Sequence, residues 1–438
     1  MLVTACAERD LDAAREPARP VSLDGTIDIT GFAGAAEGSV PRFVADFVPV
    51  GDLDGDGFDD LLLAEGGASA DLSIVVRVLY GRPDRLPREF TSHGPAVLEG
   101  TLPSASTRFA LRGLGDLDGD GRAEWGWWSD GLRIFRGGDR DANPRAAGDA
   151  WRTVHCGDQP AFNAAGDVDG DGLADLAFGT PQGVRVLTGA VVSEGEPEQA
   201  CHDGRLAIDT TESLFVEEPV PAGDLDGDGY DDLVVQTGDA VLLRYGGDTF
   251  GGRPVADAVL RRGDGDAGPT SSGIRAAARG TAMLLAGYHF AVGLRERSEA
   301  RVLDRSHSRL TGDHRWADVS RAVGGSVGCG YHWAGDLDGD GWLDVVSVSS
   351  VPLCERRNAD ADSPRDAVSL WYGRDPATEA TRSPDARLRF GQPDTLVERA
   401  AGIGDFDGDG FDDFAVLQSR YLDWPEPVGL YIVYGASR

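Results

Sequence analysis

"GDLDGDGFDDLLLA", residues 51–64, places five carboxylates and three glycines in its first ten positions and then runs straight into an apolar segment. The string returns as "GDLDGDGRAEWGWW" from Gly115, "GDVDGDGLADLAFG" from Gly166, "GDLDGDGYDDLVVQ" from Gly223, "GDLDGDGWLDVVSV" from Gly335 and "GDFDGDGFDDFAVL" from Gly404. Six copies of so specific a string mark a repeated structural unit. Their starts are 64, 51, 57, 112 and 69 residues apart, so four intervals are close to one period and one is nearly double. The long interval predicts a further unit that lacks the acidic string. Residues 273–304, "GIRAAARGTAMLLAGYHFAVGLRERSEARVLD", fit it, with strand-like runs joined by a short Arg-Gly-Thr turn.

Each unit has a readable order. An apolar run such as "RFVADFVPV" precedes the acidic string and a second such as "DDLLLAE" follows it. A third ends in a glycine turn, as in "SIVVRVLYG", "GLRIFRGG", "AVLLRYGG", "AVSLWYG" and "VGLYIVYG"; a fourth, more polar run such as "PAVLEG" or "DARLRFG" closes the unit. The runs are short, rich in Val, Leu, Tyr and Phe, and bracketed by turn residues, which predicts strands. Four strands per period predict an all-β fold: a seven-bladed β-propeller of four-stranded antiparallel blades over residues 21–438, with six blades and one long insertion as the alternative. The last unit stops after its third run at "VGLYIVYGASR", while "VSLDGTIDITGF", residues 21–32, stands before the first unit. The expectation is that this early strand completes the last blade and leaves no open edge.

Counting from the aspartate after the first glycine, each acidic string carries carboxylates at positions 1, 3, 5 and 9. They are Asp52, Asp54, Asp56 and Asp60; Asp116, Asp118, Asp120 and Glu124; Asp167, Asp169, Asp171 and Asp175; Asp224, Asp226, Asp228 and Asp232; Asp336, Asp338, Asp340 and Asp344; and Asp405, Asp407, Asp409 and Asp413. Alternate side chains of a tight loop can turn to one centre, and the glycine at position 6 permits the sharp bend that frees the carbonyl at position 7. Those carbonyls belong to Phe58, Arg122, Leu173, Tyr230, Trp342 and Phe411. Four carboxylates and a carbonyl form an oxygen cage suited to a hard cation of calcium size, so up to six calcium sites are expected. Without His or Cys in the loop, zinc is excluded as the intended ion. An EF-hand needs Glu at position 12, where this chain has Leu63, Trp127, Phe178, Val235, Ser347 and Val416. A plain Asp-Gly hairpin turn would not repeat the same four acidic positions six times.

The whole composition agrees. The 438 residues carry a formal net charge of −33, and all 41 basic residues are arginine. Such a polyanion excludes nucleic acid as a partner and disfavours anionic membrane surfaces. Hydrophobic content of 41% and 61 glycines fit a turn-rich β chain. No stretch approaches the ~20 apolar residues that cross a bilayer. "MLVTAC" ends like a bacterial lipobox but lacks the charged and apolar regions that should precede one, so two readings stand: membrane attachment only through a lipid on Cys6, or a chance match; a tether to residue 20 follows. The other four cysteines suit disulfides in an exported protein: Cys329 with Cys354 as the favoured pair, Cys156 with Cys201 as the second. Four buried thiols in a cytosolic protein are the alternative.

With acidic loops between the first and second strands of repeated blades, the "GDLDGDGxxDLxxA…VxxxYG" frame resembles the FG-GAP/VCBS repeat family, which includes the propeller of integrin α chains and many bacterial surface proteins. "RFALRGLGDLDGDG" and "AFGTP" echo the Phe-Gly and Gly-Ala-Pro ends of that repeat. The resemblance covers nearly everything after residue 20. It implies a seven-bladed ring with calcium in the loops of some blades, and roles in adhesion and ligand binding.

Other strings are weaker. "GGSVG", residues 324–328, matches a serine-hydrolase elbow, but no helix pattern follows it. "GDGDAG" from Gly263 matches a dinucleotide string whose carboxylates would repel a pyrophosphate, and Arg262-Gly263-Asp264 spells an adhesion tripeptide that chance explains. The seven histidines form no metal-ligand spacing. The reading is a monomeric, non-catalytic, calcium-stabilised binding scaffold, extracellular or on the bacterial cell surface, for a protein or glycan ligand. A polysaccharide lyase or hydrolase with its site on one face is the alternative. Ligand contacts are expected on the face opposite the acidic loops, from residues 349–369, 418–427 and 65–73, with Tyr421 and Trp424 as aromatic candidates.

Overall fold

The computed structural model describes residues 25–28, 43–66, 73–86, 96–101, 111–128, 131–138, 149–156, 161–209, 216–237, 240–248, 250, 254–261, 274–279, 282–287, 299–303, 309–323, 330–348, 367–373, 384–389, 395–420 and 427–437. The regular secondary structure of the described residues is almost wholly strand. After β1 (Gly25–Asp28), sheet 1 comprises β2 (Phe43–Gly51), β3 (Asp60–Gly66), β4 (Ser73–Leu79) and β5 (Ala96–Thr101). Sheet 2 comprises β6 (Leu111–Gly115), β7 (Glu124–Trp128), β8 (Leu132–Phe135) and β9 (Arg152–His155). Sheet 3 holds β10 (Phe162–Gly166), β11 (Asp175–Thr180), β12 (Gly183–Leu187) and, after helix α1 (Gly189–Glu194) and β13 (Glu198–Ala200), β14 (Arg205–Asp209). Sheet 4 comprises β15 (Val216–Pro221), β16 (Leu233–Thr237), β17 (Ala240–Arg244) and β18 (Ala258–Arg261). Sheet 5 holds β19 (Ile274–Arg279), β20 (Ala282–Gly287), β21 (Glu299–Leu303) and, after β22 (Gly312–Arg315) and helix α2 (Trp316–Val319), β23 (Arg321–Val323). Sheet 6 comprises β24 (Gly330–Gly335), β25 (Asp344–Val348), β26 (Ala367–Trp371) and β27 (Ala386–Arg389), and sheet 7 comprises β28 (Thr395–Gly404), β29 (Asp413–Arg420) and β30 (Pro427–Val433).

This is an all-β propeller with antiparallel blades. The first strands of successive sheets pack in a closed circuit, β2, β6, β10, β15, β19, β24, β28 and back to β2. Six sheets have all four antiparallel strands, which is the blade number of the alternative expectation; the circuit also passes through the three-stranded sheet β28-β29-β30. The unit expected without an acidic string is sheet 5, whose β19 and β20 pair antiparallel from Ile274↔Gly287 to Arg279↔Ala282.

One expectation is corrected. The early strand does not complete the last sheet. β1 pairs parallel with β27, from Gly25↔Ala386 to Asp28↔Arg389, and so becomes a fifth strand of sheet 6. It covers an edge that β27 would otherwise leave open. Two internal segments do the same: β13 pairs parallel with β9, and β22 with β18. Both lie in the connection between a sheet's third and fourth strands and reach back to the preceding sheet. β1 stands in the corresponding place beside sheet 7. A strict four-stranded blade therefore gives way to four antiparallel strands plus a parallel staple in sheets 2, 4 and 6.

The core lies between sheets, which explains the continuous apolar runs after each acidic string. Successive residues of a strand point to opposite faces. Leu61 and Leu63 of β3 pack with Ile403, Phe406 and Leu417 of sheet 7, while Leu62 and Ala64 pack with Trp125 and Phe135 of sheet 2. Both faces are buried, so no polar alternation is left. At the seam between the first and last sheets, Arg399 of β28 donates to the buried Asp46 Oδ1 at 2.7 Å and to the Phe47 carbonyl at 2.6 Å. Its guanidinium lies 4.7 Å from the Phe47 ring centre.

Candidate metal centres in the acidic loops

Every acidic string joins the first and second strands of its sheet, and each loop folds around its own first carboxylate. In the first loop Asp52 accepts the N–H groups of Gly55 at 2.7 Å, Asp56 at 3.2 Å and Gly57 at 2.7 Å, and Asp56 Oδ1 accepts the Phe58 N–H at 3.1 Å. Gly55 and Gly57 have φ of 79° and 90°, a left-handed region that side chains disfavour. Such turns, in which aspartate satisfies the backbone two to five residues on, fix the loop without a regular ladder.

Position 9 has a second duty. Asp60, Glu124, Asp175, Asp344 and Asp413 begin the second strand, Asp232 immediately precedes it, and all six are fully buried. In each, one oxygen accepts the N–H of position 2 (Leu53, Leu117, Val168, Leu225, Leu337 and Phe406) at 2.7–3.0 Å. In five of them the other oxygen accepts the N–H of the glycine after the third strand: Gly81, Gly189, Gly246, Gly373 and Gly435, at 2.6–2.9 Å. That glycine could carry no side chain, because a Cβ on Gly81 would meet the Asp59 carbonyl at 2.5 Å. The acidic string and the glycine turn that closes the third run are thus two halves of one structure.

The loops also grip one another. The N–H of position 8 donates to the carbonyl of position 1 in the preceding loop: Ala123 to Asp52, Ala174 to Asp116, Asp231 to Asp167, Asp412 to Asp336 and Asp59 to Asp405. Where position 8 is aspartate its side chain returns the bond, accepting the N–H of Asp405, Asp167 or Asp336 at 3.1, 2.9 and 2.8 Å. The side chain of position 7 lies over the glycine at position 4 of the neighbouring loop. A Cβ on Gly408, Gly170 or Gly339 would meet the rings of Phe58, Tyr230 and Phe411 at 2.2, 2.3 and 2.6 Å. Sequence reading gave position 7 a carbonyl and missed this packing; its signal was the aromatic residue at four of the six copies.

The carboxylates converge. Ligand oxygens of Asp52, Asp54 and Asp60 lie within 4.8 Å of one another, as do those of Asp116, Asp118 and Glu124, of Asp167, Asp169 and Asp175, of Asp224, Asp226 and Asp232, and of Asp336, Asp338 and Asp340. Burial pushes the carboxyl of Asp60, Asp175 and Asp232 up to about 7, and those of Glu124 and Asp413 up to about 8; the aspartates at positions 1, 3 and 5 add to the rise. Asp344 is raised well above the carboxylate range for the same first reason. Glu124 Oε1, Asp169 Oδ1 and Asp407 Oδ1 are buried acceptors with no hydrogen-bond donor. Buried acceptors of this kind are costly unless a donor or a cation satisfies them. An all-oxygen donor set with orphaned, crowded carboxylates fits a hard divalent cation.

Of the two expected disulfides, Cys156–Cys201 is formed, with Cα atoms 5.1 Å apart, and ties β13 to β9. Cys329, Cys354, Cys6, the "GGSVG" and "GDGDAG" strings, Arg262-Gly263-Asp264, Tyr421 and Trp424 lie outside the described residues, as do most of residues 349–369.

Fold and loops together define a class: a β-propeller with acidic, oxygen-donor loops between the first and second strands of its blades. Within that class, residues 161–192, which hold the third loop, match the FG-GAP repeat family. No curated protein sequence matches the chain. Among solved structures, the fold is similar to the WD40 domain of Toxoplasma gondii coronin, with a TM-score of 0.51 and 9% identity over 91% of this chain and 83% of that one. A chain of an active polycomb repressive complex 2 in the basal state aligns with a TM-score of 0.43 and 9% identity over 75% of this chain and 66% of that one. At such identities the first likeness is one of fold, and the second carries no argument.

Proposed function

We propose that this protein is a calcium-stabilised, non-catalytic binding scaffold of the cell surface or extracellular space, built as a ring of seven sheets and recognising a protein or glycan ligand. The observation that carries this reading is the loop geometry, repeated in six sheets, with buried carboxylate oxygens that lack donors. Positions 1, 3, 5 and 9 of each loop would hold the ion, together with the carbonyl of position 7. Bound calcium supplies positive charge that lets the position 9 carboxylate stay ionised where it is buried. The Cys156–Cys201 bond supports an oxidising compartment, where free calcium is also plentiful. The FG-GAP match supports a binding role.

Thermal melting tests the calcium reading. Because an ion that binds only the folded state stabilises it, saturating calcium should raise Tm by more than about 10 °C over the chelated protein, reversibly. An unchanged Tm would oppose the reading. A glycan array in calcium buffer, with products monitored, separates scaffold from enzyme: release of oligosaccharides would overturn the non-catalytic assignment.

A further inference from the structure

Arginines from outside the acidic loops reach into them. Arg85 donates from Nε to Asp407 Oδ2 at 2.5 Å and from Nη2 to Asp409 Oδ2 at 2.8 Å. Arg309 donates to Asp226 Oδ2 and, at 2.8 Å, to Asp228 Oδ2. Arg136 pairs with Asp118 Oδ2 at 2.5 Å and lies over the Trp151 ring at 4.3 Å. The first two share one construction. Arg85 and Leu86 belong to the connection between the third and fourth strands of sheet 1 and dock on sheet 7. There the guanidinium covers the Tyr434 ring at 4.8 Å and the Leu86 N–H donates to the Tyr434 hydroxyl at 3.0 Å. Arg309 and Leu310 occupy the same connection of sheet 5 and dock on sheet 4, with the guanidinium 4.4 Å from the Tyr245 ring centre and the Leu310 N–H 2.7 Å from its hydroxyl. Each tyrosine immediately precedes the glycine that binds the position 9 carboxylate.

The oxygens these arginines take are informative. Asp228 Oδ1 and Asp409 Oδ1 accept the N–H of their own position 7, and Asp226 Oδ1 accepts the Asp228 N–H. Each guanidinium bridges the Oδ2 atoms of positions 3 and 5, oxygens a cation would use, although in the sixth loop Asp407 Oδ1 stays buried without a donor. The third loop differs in its arginine: Asp169 Oδ1, at position 3, is buried without a donor just as Asp407 Oδ1 is, but among the described residues no guanidinium is hydrogen-bonded to Asp169 or Asp171, and Arg205 acts on Asp169 only through its charge. A fixed positive charge is thus seated on positions 3 and 5 of the fourth and sixth loops, and among the described residues none is bonded to those positions of the third.

We infer that Arg85 and Arg309 act as built-in cations that sort the loops into two classes, so that a divalent ion enters the fourth and sixth loops only by displacing a guanidinium and binds there more weakly than in the third. This rests on the reading that the loops bind calcium. The test is calcium titration of the full chain by calorimetry and equilibrium dialysis, beside Arg85→Gln/Arg309→Gln. The intact chain should show a tight and a weak class, and in the double variant two sites should leave the weak class for the tight one. The gain should be roughly tenfold at the sixth loop and only a few-fold at the fourth, because exposed ion pairs are weak; the Arg85 side chain is 19% exposed and that of Arg309 48%. Since Arg85 packs on Tyr434, the single variant Arg309→Gln guards against misfolding. Its effect should be confined to the fourth loop, read by terbium luminescence sensitised through Tyr245, whose ring lies under Arg309 beside that loop. Equal affinities that the substitutions leave unmoved, or affinities that fall, would overturn this inference alone. No bound calcium at all would overturn the loop reading with it.

Discussion

Sheet 5 and the sheets that carry acidic loops meet their neighbours differently. Between successive loop-bearing sheets, main-chain bonds join position 8 to position 1, and in three seams an aromatic ring caps a glycine. The circuit of such seams runs from the fifth loop through the sixth and first to the fourth, and crosses the chain ends on the way. It stops at sheet 5, where β19 and β20 are joined by two residues in place of the acidic string. At Gly227, in the fourth loop, a Cβ would meet nothing within 4 Å among the described residues, because no next loop lies over it. Arg309, from the sheet 5 insertion, comes over that loop instead. The acidic string is therefore as much a device for joining blades as a candidate ion site, and sheet 5 does without both.

Mutation separates the two kinds of seam. The largest effect is expected at position 9. Asp413→Ala removes an acceptor from two buried N–H groups, those of Phe406 and Gly435. It should cost about 3–5 kcal/mol in urea unfolding, since each stranded donor costs about 1–3 kcal/mol. A loss under about 1 kcal/mol would show that the carboxylate does not tie the strands together. Next comes a pair of glycines with nearly the same backbone. Gly408 has φ of 70° and Gly227 has φ of 80°. Gly408→Ala drives a methyl into the Phe58 ring, for which overpacking of about 1–3 kcal/mol adds to the left-handed strain of about 1 kcal/mol. Gly227→Ala meets the strain alone. Equal losses would deny that the covered and uncovered loops differ.

A smaller effect is the pH dependence of the chelated protein. The folded position 9 carboxyls lie at about 7 to 8, above their ordinary values, so the folded state binds more protons than the unfolded chain across that interval. Their contribution to stability is full below about pH 4 and is lost as the pH rises through about 7 to 8. Melting in chelator should therefore fall from pH 5 to pH 8, and calcium should flatten or reverse the slope. A chelated Tm that rises over this range would contradict the burial of these groups.

Much of this was legible because it is local. Loop spacing, strand order and the unit without an acidic string all depend on residues within one period, so the string at Asp52–Asp60 and the interval from Gly223 to Gly335 could be read directly. What was not legible depends on which connection folds back on which sheet. β1 was expected beside β30 because both lacked a partner, yet alternation alone cannot choose between the open edges of β30 and β27. The arginines at 85 and 309 were hidden for the same reason, although both stand in the dipeptide Arg-Leu ahead of a returning segment. Position 7 was read for its carbonyl, since a side chain that crosses to the next loop leaves no period in its own.

Divalent cations are proposed to fill the acidic loops. The most direct test is a count of calcium per chain after exhaustive dialysis in calcium buffer, by elemental analysis of the intact protein. Several tightly held ions are expected, up to six, removed by chelator together with the stability they confer. A folded, stable chain that carries none would contradict it.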